Sequence, residues 1–195
     1  MKDDISYNNI EVVFIVGDSP NGLSPIFLCS KGSDEMRVMS FDQATRISGY
    51  AVFDNGEYVC SGVVDMSKSA LDTYGRSFEM AKSLWKVIKK YKPDCLIIEE
   101  TQQQSNVQTV ITLARLQGMI IGYAEAHGVK VHILLPSQWR AALNYSQGPK
   151  VKRAELKKQS ADYVKKYFGF VLSEDENEAI CEGIAAHKIF DLKGD

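Results

Sequence analysis

The chain of 195 residues lacks most of what marks a secreted, membrane-spanning or broadly basic protein. Its four cysteines, Cys29, Cys60, Cys95 and Cys181, stand in no paired spacing. That argues against a disulfide framework and for a reducing compartment, with Cys95 and Cys181 serving as small hydrophobes inside apolar segments. The opening "MKDDISYNN" carries acids where a secretory signal needs bases, and no apolar run approaches the roughly 18 residues of a membrane span. A cytoplasmic protein without membrane attachment is expected. Formal net charge is only -2, so any nucleic-acid surface must be local. The three histidines, His127, His132 and His187, have no metal-ligand spacing to one another, and the sequence shows no internal repeat.

What is present is the material of one core: 45% hydrophobic and 10% aromatic residues. "RVMSFDQ" alternates, "YAVFD" follows it, and Asp54, Asn55 and Gly56 supply hairpin-turn chemistry before "EYVCSGVVDM". Three sequential strands result. Apolar residues keep helical spacing from Leu71 to Tyr91, with a stop at Pro93. "CLIIEE" then reads as a short strand, Val107 to His127 as a helix and "KVHILLP" as another strand, an alternation that implies parallel pairing. From Ser137 the chain reads as a short turn "SQWRAAL", a loop "NYSQGPK", a basic helix from Val151 to Tyr167 and a last helix from Glu174 to Phe190. Ser173 and Glu176 have capping-box spacing at its start. Residues 1–35, set off by "DSPNGLSP", are expected to be an appendage, disordered or translated upstream of the true start, ahead of one domain at 36–195.

Four acids stand at or beside regular apolar structure: Asp42, Glu99, Asp175 and Glu178. A lone aspartate within an apolar strand costs free energy unless a partner meets it. Asp175 and Glu178 are i and i+3 on one helix face, and Glu182 extends their stripe, an arrangement in which like charges repel. A divalent cation reverses that sign, because Mg2+ or Mn2+ prefers carboxylate oxygens, and strand-end acids facing a helix pair can hold two ions. The plainer readings stay open for each position alone: a solvated first helical turn for Asp175 and Glu178, a strand-end surface acid for Glu99 or Glu100, and a turn role for Asp42.

Taken in order, the blocks "SFDQATRISGYAVFD", "KPDCLIIEETQQQSNVQTVITLARLQG", "LPSQWRAAL" and "SEDENEAICEGIAAH" resemble the RuvC-type Holliday junction resolvases of the RNase H-like superfamily, most closely the phage-borne branch. The resemblance covers about residues 36–190. It implies an α/β fold with an RNase H-like mixed sheet, three sequential antiparallel strands followed by parallel strands, flanked by helices. It also implies catalytic, metal-binding roles for Asp42, Glu99, Asp175 and Glu178, with two Mg2+ ions for which Mn2+ can substitute. Paired incisions leaving 5' phosphates, a homodimer and a four-way DNA junction as partner come from the same source. Two departures stand out. Gln43 and Ala44 replace the Pro-Gly of bacterial members, and Glu178 replaces the usual final Asp. Between Glu99 and Glu100, Glu99 is the expected ligand.

From Pro149 to Phe168 the chain holds Lys150, Lys152, Arg153, Lys157, Lys158, Lys165 and Lys166 against Glu155 and Asp162, seven cations to two acids and a net of +5. A solvated helix face would explain the run. Because it directly precedes the acidic helix, Lys150, Lys152, Arg153 and Lys157 are candidate phosphate contacts, and Gln102 and Gln103 candidate amide contacts to DNA. Three alternatives remain: an actin-like or sugar-kinase fold, disfavoured because "DQATRISG" has no glycine before Gly49; an RNase H-like nuclease acting on RNA hybrids or flaps; and a junction-binding protein that does not cut.

Overall fold

The structure, a computed structural model, describes residues 10–13, 26–29, 36–102, 106–170, 172–190 and 192. The chain divides into two units, Met1–Asp34 and Glu35–Asp195. In the first, β1 (Ile10–Val13) pairs antiparallel with β2 (Ile26–Cys29). Apart from these strands, the proposed front appendage lies outside the described residues.

The second unit is built on five strands: β3 (Arg37–Asp42), β4 (Ile47–Asp54), β5 (Glu57–Asp65), β6 (Cys95–Glu99) and β7 (Lys130–Leu134), in the order β5-β4-β3-β6-β7. β3, β4 and β5 are antiparallel neighbours, while β6 runs parallel to β3 and β7 parallel to β6. The expected mixed sheet is therefore present, with β3 at its centre. Asn55 and Gly56 close the β4–β5 hairpin at φ 49° and 87°, the left-handed pair that matches strand twist. Among the described residues five helices cover the sheet: α1 (Thr73–Tyr91), α2 (Val107–Ala126), α3 (Pro136–Ala142), α4 (Arg153–Phe168) and α5 (Glu174–Phe190).

Helix boundaries follow local chemistry. α1 starts at Thr73 and not at Leu71, because the Asp72 side chain caps it by accepting the Gly75 N–H at 2.7 Å. It ends at Lys92, whose left-handed backbone donates to the Ile88 carbonyl, one residue before Pro93. "SQWRAAL", expected as a turn, is the helix α3 with Pro136 at its start. α4 begins at Arg153, two residues later than the expected Val151. At α5 the Ser173 hydroxyl accepts the Glu176 N–H at 3.3 Å and donates to the Glu176 carboxylate at 2.8 Å.

Strand alternation sorts the core into two layers. Val38, Ala51, Phe53, Cys95 and Ile97 face α3, α4 and α5, packing with Trp139, Val164, Ala179 and Ile180. Met39, Phe41, Val52, Leu96 and Ile98 face α1 and α2, packing with Met80, Leu84, Leu116 and Ile120. Asp42 continues the first set (38, 40, 42), and Glu99 does the same on β6 (95, 97, 99). Parity alone thus directs both acids to the α5 face.

Candidate active site

Asp42 is the last residue of β3, at the carboxyl end of the central strand and not within its apolar run as the sequence implied. Glu99 ends β6 beside it. The two strands are parallel and in register from Val38 and Cys95 to Phe41 and Ile98, so both carboxylates leave the sheet at the same edge. Over that edge passes the first part of α5, carrying Asp175 and Glu178.

Small residues on the sheet let α5 come this close. The Ser40 hydroxyl donates to the Ala179 carbonyl at 2.6 Å. Gly49, opposite Asp42 on β4, lies against the backbone of Asp175, so that a Cβ there would collide with the Asp175 carbonyl oxygen. Gly183, lower on α5, lies likewise against the Phe53 ring and the Ser40 hydroxyl. Glu178 is consequently only 9% exposed, although it belongs to an acidic helix terminus.

The electrostatics are those of carboxylates gathered without enough cations. Burial raises the Asp42 pKa well above the carboxylate range, and the charges of Glu178, Glu99 and Asp175 raise it further, against an opposing effect of Lys157. Burial also raises Glu99, opposed by the Trp139 indole and Arg140. It raises Glu178, opposed by Lys157, Arg140 and Arg153, and Asp175, opposed mainly by Lys157. Trp139 Nε1 donates to Glu99 Oε2 at 2.6 Å, with Arg140 Nη2 3.8 Å from the same oxygen. Gln43 Nε2 donates to the Glu99 carbonyl at 2.5 Å.

These groups border a cleft of about 250 Å3 lined by Asp42, Glu99, Glu178, Gln102, Arg140 and Arg153 among others. Glu100 lines it too, past the strand end, with its N–H on the Leu134 carbonyl. Asp175 does not line the cleft but acts on Asp42 and Glu178 by charge. Among the described residues, Gln43 Oε1, Thr101 Oγ1 and Arg140 Nε are buried here without a hydrogen-bond partner, which leaves the walls polar capacity for a ligand.

Of the candidate DNA contacts, Gln102 and Arg153 line the cleft. Lys150 and Lys152 are exposed on the lead-in to α4. Lys157 Nζ donates to Glu174 Oε2 at 2.5 Å, and the charges of Glu178 and Asp175 also act on it. Gln103 lies outside the described residues. His187 sits away from the acids, bonded through Nδ1 to the Leu192 carbonyl at 2.9 Å and edge-on to Phe53. His127 stacks on Tyr123 and His132 on Phe190. Among the described residues, no helix is long and apolar enough to cross a membrane.

Sequence reasoning named Gln43 only as a departure from the family pattern and did not single out Trp139 or Arg140. Trp139 and Arg140 were legible only as an aromatic and a cation just past a strand end, and nothing in their spacing ties them to Glu99, 40 residues earlier.

The family described as "Crossover junction endodeoxyribonuclease RuvC" matches residues 38–167. The chain is similar to the crossover junction endodeoxyribonuclease RuvC of Dictyoglomus turgidum, 33% identical over 110 residues, 52% of this chain and 66% of that protein. It is similar also to that of Fusobacterium nucleatum, 32% identical over 139 residues, 69% of each chain. It spans about two thirds of the length of these curated relatives. Its fold resembles that of T. thermophilus RuvC, solved in complex with a Holliday junction substrate, with a TM-score of 0.62 over 82% of this chain and 99% of that one at 16% identity.

Proposed function

The chain belongs to the RuvC family of crossover junction endodeoxyribonucleases, and on that premise we propose that it resolves four-way DNA junctions by metal-dependent phosphodiester hydrolysis at Asp42, Glu99, Asp175 and Glu178. What carries this reading is the convergence of acids from β3, β6 and α5 in one cleft whose rim is cationic. Carboxylates that raise one another's proton affinity are equally ready to take a divalent cation.

The donor set suits Mg2+ or Mn2+, being made of hard oxygens. Among the described residues no group of three His, Cys, Asp or Glu side chains is assembled to hold an ion. Mg2+ in phosphate chemistry needs only one or two carboxylates, its other positions being filled by water and substrate phosphate. Metal bound there would supply an activated water near neutral pH and charge stabilisation for the leaving oxygen. Asp42 and Glu99, held by strand ends, would bind from the sheet side, and Glu178 with Asp175 from the helix side. The Trp139 indole and the Gln43 amide keep Glu99 in place. Arg153 and Arg140 would receive the phosphate charge, with Lys150 and Lys152 contacting the flanking backbone and Gln102 the nucleotide beside the cleft. Two opposed nicks require two such clefts, which a homodimer supplies.

The test is incubation with labelled four-way, three-way, flap, RNA–DNA hybrid and linear duplex substrates, with and without Mg2+ or Mn2+. Paired nicks in the four-way junction, with 5' phosphates and only with metal, are expected. Binding without cutting, or faster cutting of a hybrid or flap, would replace this reading.

A further inference from the structure

Glu182 lies on α5 one turn beyond Glu178 and is 1% exposed. Its Oε2 has no hydrogen-bond partner among the described residues. Among the described residues the groups whose charges act on it most are Glu99, Asp42 and Glu178, followed by the Cys181 thiol, all of which oppose its ionisation. Side chains on a helix lean toward its N-terminus, so the carboxylate at i+4 is carried back toward Glu178 and into the space that Asp42 and Glu99 share. Gly183 sits against Phe53 and Ser40, and the Ser40 hydroxyl holds the Ala179 carbonyl, so this turn of α5 is pressed on the sheet.

A buried carboxylate surrounded by carboxylates contributes nothing to stability that a hydrocarbon of the same volume would not exceed. We propose, resting on the metal-dependent reading above, that Glu182 is a fifth carboxylate of the cation site and closes it from the buried side. The other four acids hold the ions against substrate. Glu182, which no phosphate can reach, contributes to ion affinity whether or not DNA is present.

The distinguishing measurement is therefore made on the full chain without DNA. Mn2+ is titrated calorimetrically into the native protein, Glu182→Gln and Glu182→Asp, with thermal melts of each in chelator. Glu182→Gln should bind Mn2+ about 10- to 100-fold more weakly while melting no lower in chelator, and Glu182→Asp should fall between. Crystals of the native chain soaked in Mn2+ give a second readout that needs no variant: an anomalous peak within coordination distance of the Glu182 carboxylate, about 2.1 Å for an ion like Mg2+. Native-like Mn2+ affinity in a folded Glu182→Gln protein, or an ion bound out of reach of Glu182, overturns the assignment and leaves the nuclease reading standing. Absence of Mn2+ binding by the native chain overturns both.

Discussion

On the α1/α2 face the sheet presents Met39, Phe41, Val52, Leu96 and Ile98, every one fully buried and large. On the α5 face the same strands present Val38, Ser40, Asp42, Gly49, Ala51, Phe53, Cys95, Ile97 and Glu99. One face separates helices from sheet by side-chain bulk. The other, toward the carboxyl ends of β3 and β6, replaces bulk with a hydroxyl, a missing Cβ and two acids, so that a helix backbone rests on the strands and brings its own carboxylates inside. The first face stabilises, by about 1.5–3 kcal/mol per fully buried large apolar side chain. The second takes on unfavourable charge, which makes it the place to look for chemistry.

The contrast breaks first at the acids. Asp42→Asn, Glu99→Gln, Asp175→Asn and Glu178→Gln should each lower junction cleavage by about 10²- to 10³-fold or more, while melting as high as the native chain or higher in chelator. Native cleavage rates in two of the four would remove the active-site assignment. The opposite face should respond in the opposite way. Leu84→Ala leaves a cavity between α1 and the sheet and should lose about 2–5 kcal/mol in a denaturant titration, with Mn2+ affinity unchanged below the transition.

Two glycines sharpen the comparison. Gly49→Ala forces the start of α5 off β4 and should lose about 1–3 kcal/mol together with Mn2+ affinity. Gly122→Ala, on α2 with nothing within 4 Å of the added methyl group, should gain about 0.5–1 kcal/mol.

The smallest effect is the pH dependence of the metal-free protein. The folded-state pKa values of Asp42, Glu99, Asp175, Glu178 and Glu182 are raised by burial. The stability they contribute is full below the ordinary carboxylate range and is lost as pH climbs through the raised values. In chelator, then, the native chain should fall in Tm relative to Asp42→Asn as pH rises from about 5 to 8. A native Tm that rises relative to that variant would mean the acids are paired in a way the structure does not show.

Much of this site was legible in advance because its signals are local. α5 runs from Glu174 to Phe190, as apolar spacing and the Ser173 cap required, and the hairpin turn is at Asn55–Gly56 because few other dipeptides accept two left-handed residues. The partner of Lys157 could not be read: among seven cations its charge suggested a phosphate contact, and its ion pair with Glu174, 17 residues further on, is a matter of helix packing and not of composition. Glu182 was visible only as one more acid on a stripe. Its burial depends on Gly183, Phe53 and Ser40, residues from three elements.

By itself, then, the sequence determined what short-range periodicity and turn chemistry can determine: the strands and long helices from Arg37 on, their order, and the parity that sends Asp42 and Glu99 to one face. Only the tertiary structure decided which helix lies over that face, how closely, and which charges end up together. Those outcomes depend on contacts between residues 40 to 140 positions apart, such as Glu99 with Trp139 and Ser40 with Ala179, whose partners chain spacing does not specify.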